Sequence, residues 1–323
     1  MNFIYRFIAL FVILIGSLAM GELAIRIWFS YSQNYDIEMW KYAQRLKKSV
    51  PDGRGHVHIP YAQAKLMGTH VRINELGWRD REVNPSDLTA EYRILFAGDS
   101  ICFGWGVDED HRFSNLFQKW LRKTRQLETA TVFNGGVGNY NSRQVLHFLQ
   151  EQAHILKPTE VIYAFFINDL EPEQTNQYGF ILSHCMLFAT LKSVLARFIG
   201  HRKVQGNYFD YYSGLFDNTE NLARFKNDMA QMKRLSNNLE GFRLTVLLIP
   251  DLHQLEPYPF QSNYQHIKAI LDEQGIRYID ALAGFDKSIP PRQYWVASDD
   301  AHPNKLANQA IFKALADGYQ SDR

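Results

Sequence analysis

Residues 92–100 read Tyr-Arg-Ile-Leu-Phe-Ala-Gly-Asp-Ser, a compact apolar run that stops on a glycine and two small polar residues. Apolar runs of this length without polar alternation fit a strand covered on both faces. The rhythm recurs downstream. Thr131–Phe133 precedes Asn134-Gly135-Gly136-Val137-Gly138-Asn139, Val161–Ile167 precedes Asn168-Asp169, and Phe242–Ile249 and Ile276–Ile279 complete the strand set. Between and after them, Phe113–Leu127, Ser142–Leu156, Glu220–Leu239, Gln261–Glu273 and Asn304–Ala316 carry apolar residues at helical spacing. Strands alternating with helices imply right-handed crossovers and an α/β fold with a mostly parallel sheet.

In such a sheet reactive groups collect beyond the carboxyl ends of the strands. That rule brings Gly98-Asp99-Ser100, the glycine-rich turn and Asn168-Asp169 to one edge. Asp299-Asp300-Ala301-His302-Pro303-Asn304, just before the last helix, joins them. These residue types suit acyl transfer. A serine hydroxyl is a weak nucleophile until a base takes its proton, and neutral imidazole does so near pH 7. Ser100 is the candidate nucleophile and His302 the base; Asp299, three residues earlier, is expected to fix the tautomer. A tetrahedral oxyanion needs donors already in place. The Ser100 backbone N–H, an N–H of the Gly138–Asn139 turn and the Asn168 side-chain amide are the candidates.

These four blocks, in this order, resemble the SGNH (GDSL-type) hydrolase superfamily. Val71-Arg72-Ile73-Asn74-Glu75-Leu76-Gly77-Trp78-Arg79 and Phe103-Gly104-Trp105-Gly106-Val107 are similar to the lead-in and first-block continuation of its membrane-anchored, extracytoplasmic members. The resemblance covers roughly residues 70–320. It implies a three-layer α/β/α fold with Ser100 as nucleophile, His302 as base, Asp299 as its partner and Asn168 in the oxyanion hole. Two positions depart from the pattern. Phe166 stands where the third block usually has glycine, and Asn139 stands where the second block usually has its oxyanion glycine, leaving Gly138 one place early. Asn tolerates positive φ better than other side-chained residues.

Ahead of this domain, Phe7–Gly21 is uncharged and apolar, and run on to Phe29 it reaches the roughly 20 residues that span a bilayer. Trp28, Phe29 and Tyr31 would form an interfacial belt. An uncleaved anchor is the favoured reading over a signal peptide cut at Ala19-Met20-Gly21, with the rest of the chain on the extracytoplasmic side. The expected organisation is an anchor or signal segment (1–30), a polar, irregular lead-in (31–90) with a strand candidate at Val71–Asn74, and a hydrolase-like domain (91–323). An insertion at about 170–219 contains an apolar helix, Phe180–Gly200, that covers the site or touches the membrane.

The remaining features narrow the reading. Among 323 residues, 35 basic against 34 acidic leave a net charge of +1, which gives no basis for nucleic-acid binding. Two cysteines, Cys102 and Cys185, make neither a disulfide scaffold nor a structural zinc site. His56 and His58 are expected in a surface loop. Asp251 and His253 are expected to line the pocket, and Tyr208, Phe209, Tyr211, Tyr212 and Phe216 to pack or to stack on sugar rings. The leading expectation is a membrane-anchored serine esterase acting on a small acyl ester of a glycan or lipid, with no metal or organic cofactor. The rivals are an O-acyltransferase and a non-catalytic carbohydrate-binding or assembly module.

Overall fold

The computed structural model of the chain describes residues 2–173, 184–203, 208–238 and 241–320. It begins with α1 (Asn2–Tyr31), whose apolar side chains stand exposed along most of its length. Phe3–Tyr31 is long and apolar enough to cross a membrane or to serve as a signal sequence. Its distal end is built into the domain. Glu22 accepts from the backbone N–H groups of Met186 (3.0 Å) and Leu187 (2.7 Å), and Arg26 donates to the His184 carbonyl (3.2 Å). Ile25 and Phe29 pack against Ile37, Trp40 and Met186.

The lead-in is ordered rather than irregular. α2 (Tyr35–Leu46) starts where the Asn34 side chain accepts from Ile37 N–H, with Asp36 and Glu38 in the first turn, where the helix dipole favours acids. Ile37, Trp40, Ala43 and Leu46 make its buried stripe. Next, β1 (Lys47–Ser49) pairs antiparallel with β2 (His56–His58), and β3 (Gln63–Leu66) with β4 (Thr69–Arg72). Interleaved charges (Lys41, Arg45, Lys47, Lys48) mask this periodicity in the sequence. α3 (Pro85–Leu88) is a single turn.

The central sheet is wholly parallel. It contains β5 (Arg93–Gly98), β6 (Thr131–Asn134), β7 (Glu160–Phe165), β8 (Arg243–Leu248) and β9 (Arg277–Asp280) in the spatial order β6-β5-β7-β8-β9. Successive side chains of a strand point to opposite faces, and both faces are covered. Leu95, Ala97, Val161, Tyr163, Phe165, Val246 and Leu248 enter one core, whereas Ile94, Phe96, Ile162, Ala164 and Leu247 enter the other. That is why the strands read as unbroken apolar runs. After α4 (Ser100–Phe103), α5 (Phe113–Thr124) crosses to β6 and α6 (Ser142–Leu156) to β7. The insertion follows as α7 (Met186–Lys203) and α8 (Tyr208–Asp217), and α9 (Thr219–Asn238) leads into β8. α10 (Gln261–Glu273) leads into β9, β10 (Trp295–Ala297) pairs antiparallel with β11 (Asp300–Pro303), and α11 (Lys305–Gln320) closes the chain. α6, α9 and α10 cover one face of the sheet, and α5 and α11 the other. The result is a three-layer α/β/α fold.

Of the expected helix Phe180–Gly200, residues 180–183 lie outside the described residues. α7 packs beside α1 and α2, with the Ser193 hydroxyl on Asp36 (2.5 Å), and leaves Phe188, Leu191, Val194 and Leu195 exposed.

Candidate active site

Ser100 opens α4 directly beyond β5, where Asp99 caps the turn by accepting from Ile101 N–H (2.8 Å). The Ser100 Oγ lies 2.8 Å from His302 Nε2. On the other side of the ring, Asp300 Oδ1 accepts from the His302 backbone N–H (3.0 Å) and faces Nδ1 at 2.6 Å. A carboxylate only accepts, so the proton sits on Nδ1 and the Nε2 lone pair faces the Ser100 hydroxyl. Asp300 is buried, and its Oδ2 accepts from Trp105 Nε1–H (2.8 Å). Burial works to raise the Asp300 carboxyl, but the electrostatic attraction of the His302 ring and the bonds from His302 and Trp105 hold it below its usual range.

The carboxylate behind His302 is therefore Asp300, not Asp299. Asp299 is exposed and accepts from Tyr35 N–H (3.3 Å) and Asn34 Nδ2 (3.4 Å) at the start of α2. The cause is strand periodicity. On β11, residues two apart share a side, so Asp300 projects with His302 while Asp299 precedes the strand. The sequence-level signal was an Asp-x-His alternation, together with an indole in the block after Ser100.

The glycine turn lies against α4. A Cβ at Gly136 would sit 2.3 Å from the Phe103 backbone nitrogen, and one at Gly138 would sit 2.7 Å from the Tyr42 ring. The Gly138 N–H donates to Tyr42 Oη (2.8 Å) and is thereby occupied, contrary to its expected place among the oxyanion donors. Asn139 adopts φ +69° and lines the cavity beside Ser100. Its backbone N–H meets no acceptor among the described residues. The Ser100 N–H opens the first turn of α4, where no intrahelical acceptor exists. Asn168 also lines the cavity; its side-chain amide bonds to Asp99, and its Oδ1 is buried without a partner. Burial raises the Asp99 carboxyl, against the bonds from Ile101 N–H and Asn168. Asp169 accepts from Tyr163 Oη (2.6 Å) and Phe166 N–H (3.0 Å), which secures the turn carrying Asn168.

His56 and His58 are buried on β2 and do not form a surface loop. His58 Nδ1 donates to the Gly77 carbonyl (2.9 Å), so Tyr42 Oη donates to His58 Nε2 (2.7 Å) while accepting from Gly138 N–H. Burial pushes His58 down to about 3, against the raising effect of the Gly77 bond and with help from the nearby Lys47 and Arg79 charges. Lys47 Nζ donates to the Gly138 carbonyl (2.6 Å) and to Asn139 Oδ1 (2.9 Å), and His56 Nε2 donates to the same Gly138 carbonyl (2.9 Å). Burial holds Lys47 well below its usual value.

Ser100, Asn139, Asn168, Asp299, Asp300 and His302 border a cavity of about 300 Å³. Tyr35, Phe166, Tyr208 and Tyr212 supply aromatic wall, and Tyr35 lies 5.8 Å from the His302 ring. Asp251 and His253 line it as well. Asp251 Oδ1 accepts from the His253 backbone N–H (2.9 Å) and faces its Nδ1 at 3.0 Å, while Tyr208 Oη donates to Asp251 Oδ2 (2.6 Å). The Tyr208 ring lies 4.2 Å from the His253 ring. Phe209 does not line the cavity but packs behind its wall, edge-on to Tyr208 and His253 and against Phe260.

No protein-family model matches the chain, and no curated protein matches it. Among solved structures it is similar to TesA, with 16% identity and a TM-score of 0.46 over 71% of this chain and 98% of the other. The acetylxylan esterase Axe2 from Geobacillus stearothermophilus gives 17% identity and a TM-score of 0.43 over 70% and 92%. A two-domain esterase active on acetylated mannans gives 12% identity and a TM-score of 0.47 over 73% and 50%.

Proposed function

We propose that the chain is a serine esterase that cleaves a small acyl ester on a glycan or lipid through an acyl-serine intermediate. The observation that carries this reading is the 2.8 Å contact between Ser100 Oγ and His302 Nε2, with Asp300 bonded to the far side of the ring. As Ser100 Oγ bonds to the ester carbonyl carbon, its proton passes to Nε2 and the imidazolium is stabilised by Asp300. The carbonyl oxygen, now an oxyanion, takes the N–H groups of Ser100 and Asn139 and the Asn168 amide. His302 returns its proton to the leaving alkoxide. Water, deprotonated by the same ring, then releases the acid and regenerates Ser100.

A second reading, transfer of the acyl group to a sugar hydroxyl, is favoured by the Asp251–His253 pair on the same cavity. Nδ1 is turned to Asp251, so the Nε2 lone pair of His253 is available to an incoming hydroxyl. Placement at a membrane surface is supported by the chain itself, since α1 ends at Tyr31 and Tyr35 already lines the cavity. The signal-like start favours the extracytoplasmic side.

Labelling with a fluorophosphonate probe tests the reading. Wild type is expected to take the label and Ser100→Ala to lose it entirely; a wild type that takes no label overturns the esterase. Turnover of p-nitrophenyl acetate with and without an oligosaccharide acceptor then separates the two outcomes, since acetate as the sole product excludes transfer. An alkaline phosphatase fusion at the carboxyl terminus is expected to be active, and a stable but inactive fusion reverses the topology.

A further inference from the structure

A buried lysine with no carboxylate partner is costly, because the desolvation of its amine is not offset by a counter-charge. Lys47 is such a residue: it is buried and, among the described residues, pairs with no acid. Its Nζ contacts are the Gly138 carbonyl, the Asn139 side chain and the face of Tyr42, 4.3 Å from the ring centroid. His56 donates to the same carbonyl. That oxygen belongs to the peptide unit whose N–H is that of Asn139. The only cis peptide among the described residues is Glu256–Pro257, so the 138–139 bond is trans and its C=O and N–H point in opposite directions. Holding the oxygen on the lead-in side turns the Asn139 N–H away from Lys47 and His56. The peptide unit before it is held as well, through Gly138 N–H on Tyr42 Oη.

We propose that Lys47 and His56 are positioning residues that clamp the Gly138–Asn139 peptide, so that the Asn139 N–H is fixed toward the oxyanion formed on Ser100. The inference rests on the esterase reading above. It explains why a left-handed residue without glycine's freedom is tolerated at the oxyanion turn. Asn139 supplies, through Oδ1, a second anchor for the lysine that holds its own backbone. It also gives the lead-in a function, since Tyr42, Lys47 and His56 all come from residues before the first central strand. Two N–H donors on Nζ suffice, so the clamp works with the amine charged or neutral.

A structural role and a positioning role predict different readouts for full-length protein in detergent. Lys47→Met removes a buried amine whose desolvation no counter-charge offsets, while the Gly138 carbonyl keeps its bond from His56. The clamp predicts an unchanged or higher Tm together with kcat for p-nitrophenyl acetate reduced about 10- to 100-fold, the scale of a misplaced reacting geometry. KM should stay within about twofold and Ser100 phosphonylation should slow in parallel. His56→Leu is expected to lower kcat, with His56→Gln, which keeps a donor, restoring part of it; this pair decides the matter if Lys47→Met does not fold. A wild type labelled at Ser100, with Lys47→Met and His56→Leu both within about twofold of its kcat, overturns the clamp alone. A wild type that takes no label overturns the esterase reading, and the clamp with it.

Discussion

Two Asp-x-His segments end on the same cavity and are built alike. In Asp300-Ala301-His302 and in Asp251-Leu252-His253 one carboxylate oxygen accepts the backbone N–H of the histidine and faces its Nδ1, while the other accepts from an aromatic side chain. That aromatic is Trp105 in the first and Tyr208 in the second. Local sequence thus prepares both imidazoles in the same tautomer. What separates them is supplied from far along the chain: Ser100 meets Nε2 of His302, and among the described residues no nucleophilic side chain meets Nε2 of His253. A poised histidine is a local product, whereas its contact with a serine hydroxyl is a product of topology.

The sharpest test of this contrast exchanges single oxygens for amides. Asp300→Asn is expected to lower esterase kcat by about 10⁴-fold, because an amide no longer fixes the productive tautomer. Asp299→Asn is expected to stay within about threefold. Stopped-flow or steady-state hydrolysis of p-nitrophenyl acetate measures both, and a reversed order would return the role to Asp299.

The second pair is tested by partition rather than by rate. If His253 takes the proton of an acceptor hydroxyl, His253→Gln should lower the yield of acylated oligosaccharide relative to free acid by at least about tenfold, within the range of general-base effects. Product analysis by mass spectrometry reads the ratio. An unchanged ratio reduces the pair to cavity wall.

The fold was legible where burial was two-sided. The runs at 93–98, 160–165 and 243–248 carry apolar residues at almost every position because a helical layer covers each face, and a parallel sheet admits few alternatives. The placement of Ser100, His302 and Asn168 at one edge of the sheet was legible because each stands at a strand end or beside the closing helix. Asp300 was not, since choosing between adjacent aspartates requires knowing that residues 300–303 are a strand. The oxyanion donor was undecided for a similar reason: Gly138 and Asn139 are distinguished only by Tyr42, which comes nearly a hundred residues earlier and occupies the Gly138 N–H. The lead-in was misread because its buried faces are short and charged residues such as Lys47 point inward. A hydropathy pattern assigns such residues to solvent.

A third imidazole sharpens the comparison by having a carbonyl behind it instead of a carboxylate. His58 Nδ1 donates to Gly77 O, and its Nε2 accepts from Tyr42, so a second proton has no site that the surroundings would welcome. With the folded value near 3 and the ordinary one near 6.5, the unfolded chain binds this proton more readily than the folded one across that interval. Stability from neutral His58 is therefore complete above about pH 6.5 and is lost as pH falls toward 3. The slope is about 1.4 kcal/mol per pH unit, or about 2 kcal/mol by pH 5. The depressed Asp300 carboxyl acts in the same direction, but only below its unfolded value of about 3.8. Chemical denaturation at pH 7, 6 and 5 should show this decline in the wild type and a flatter profile in His58→Gln, where nothing titrates at that position. Parallel profiles would mean that the ring is protonated in the fold, and that the proton order running from Gly77 through Tyr42 to Gly138 is wrong.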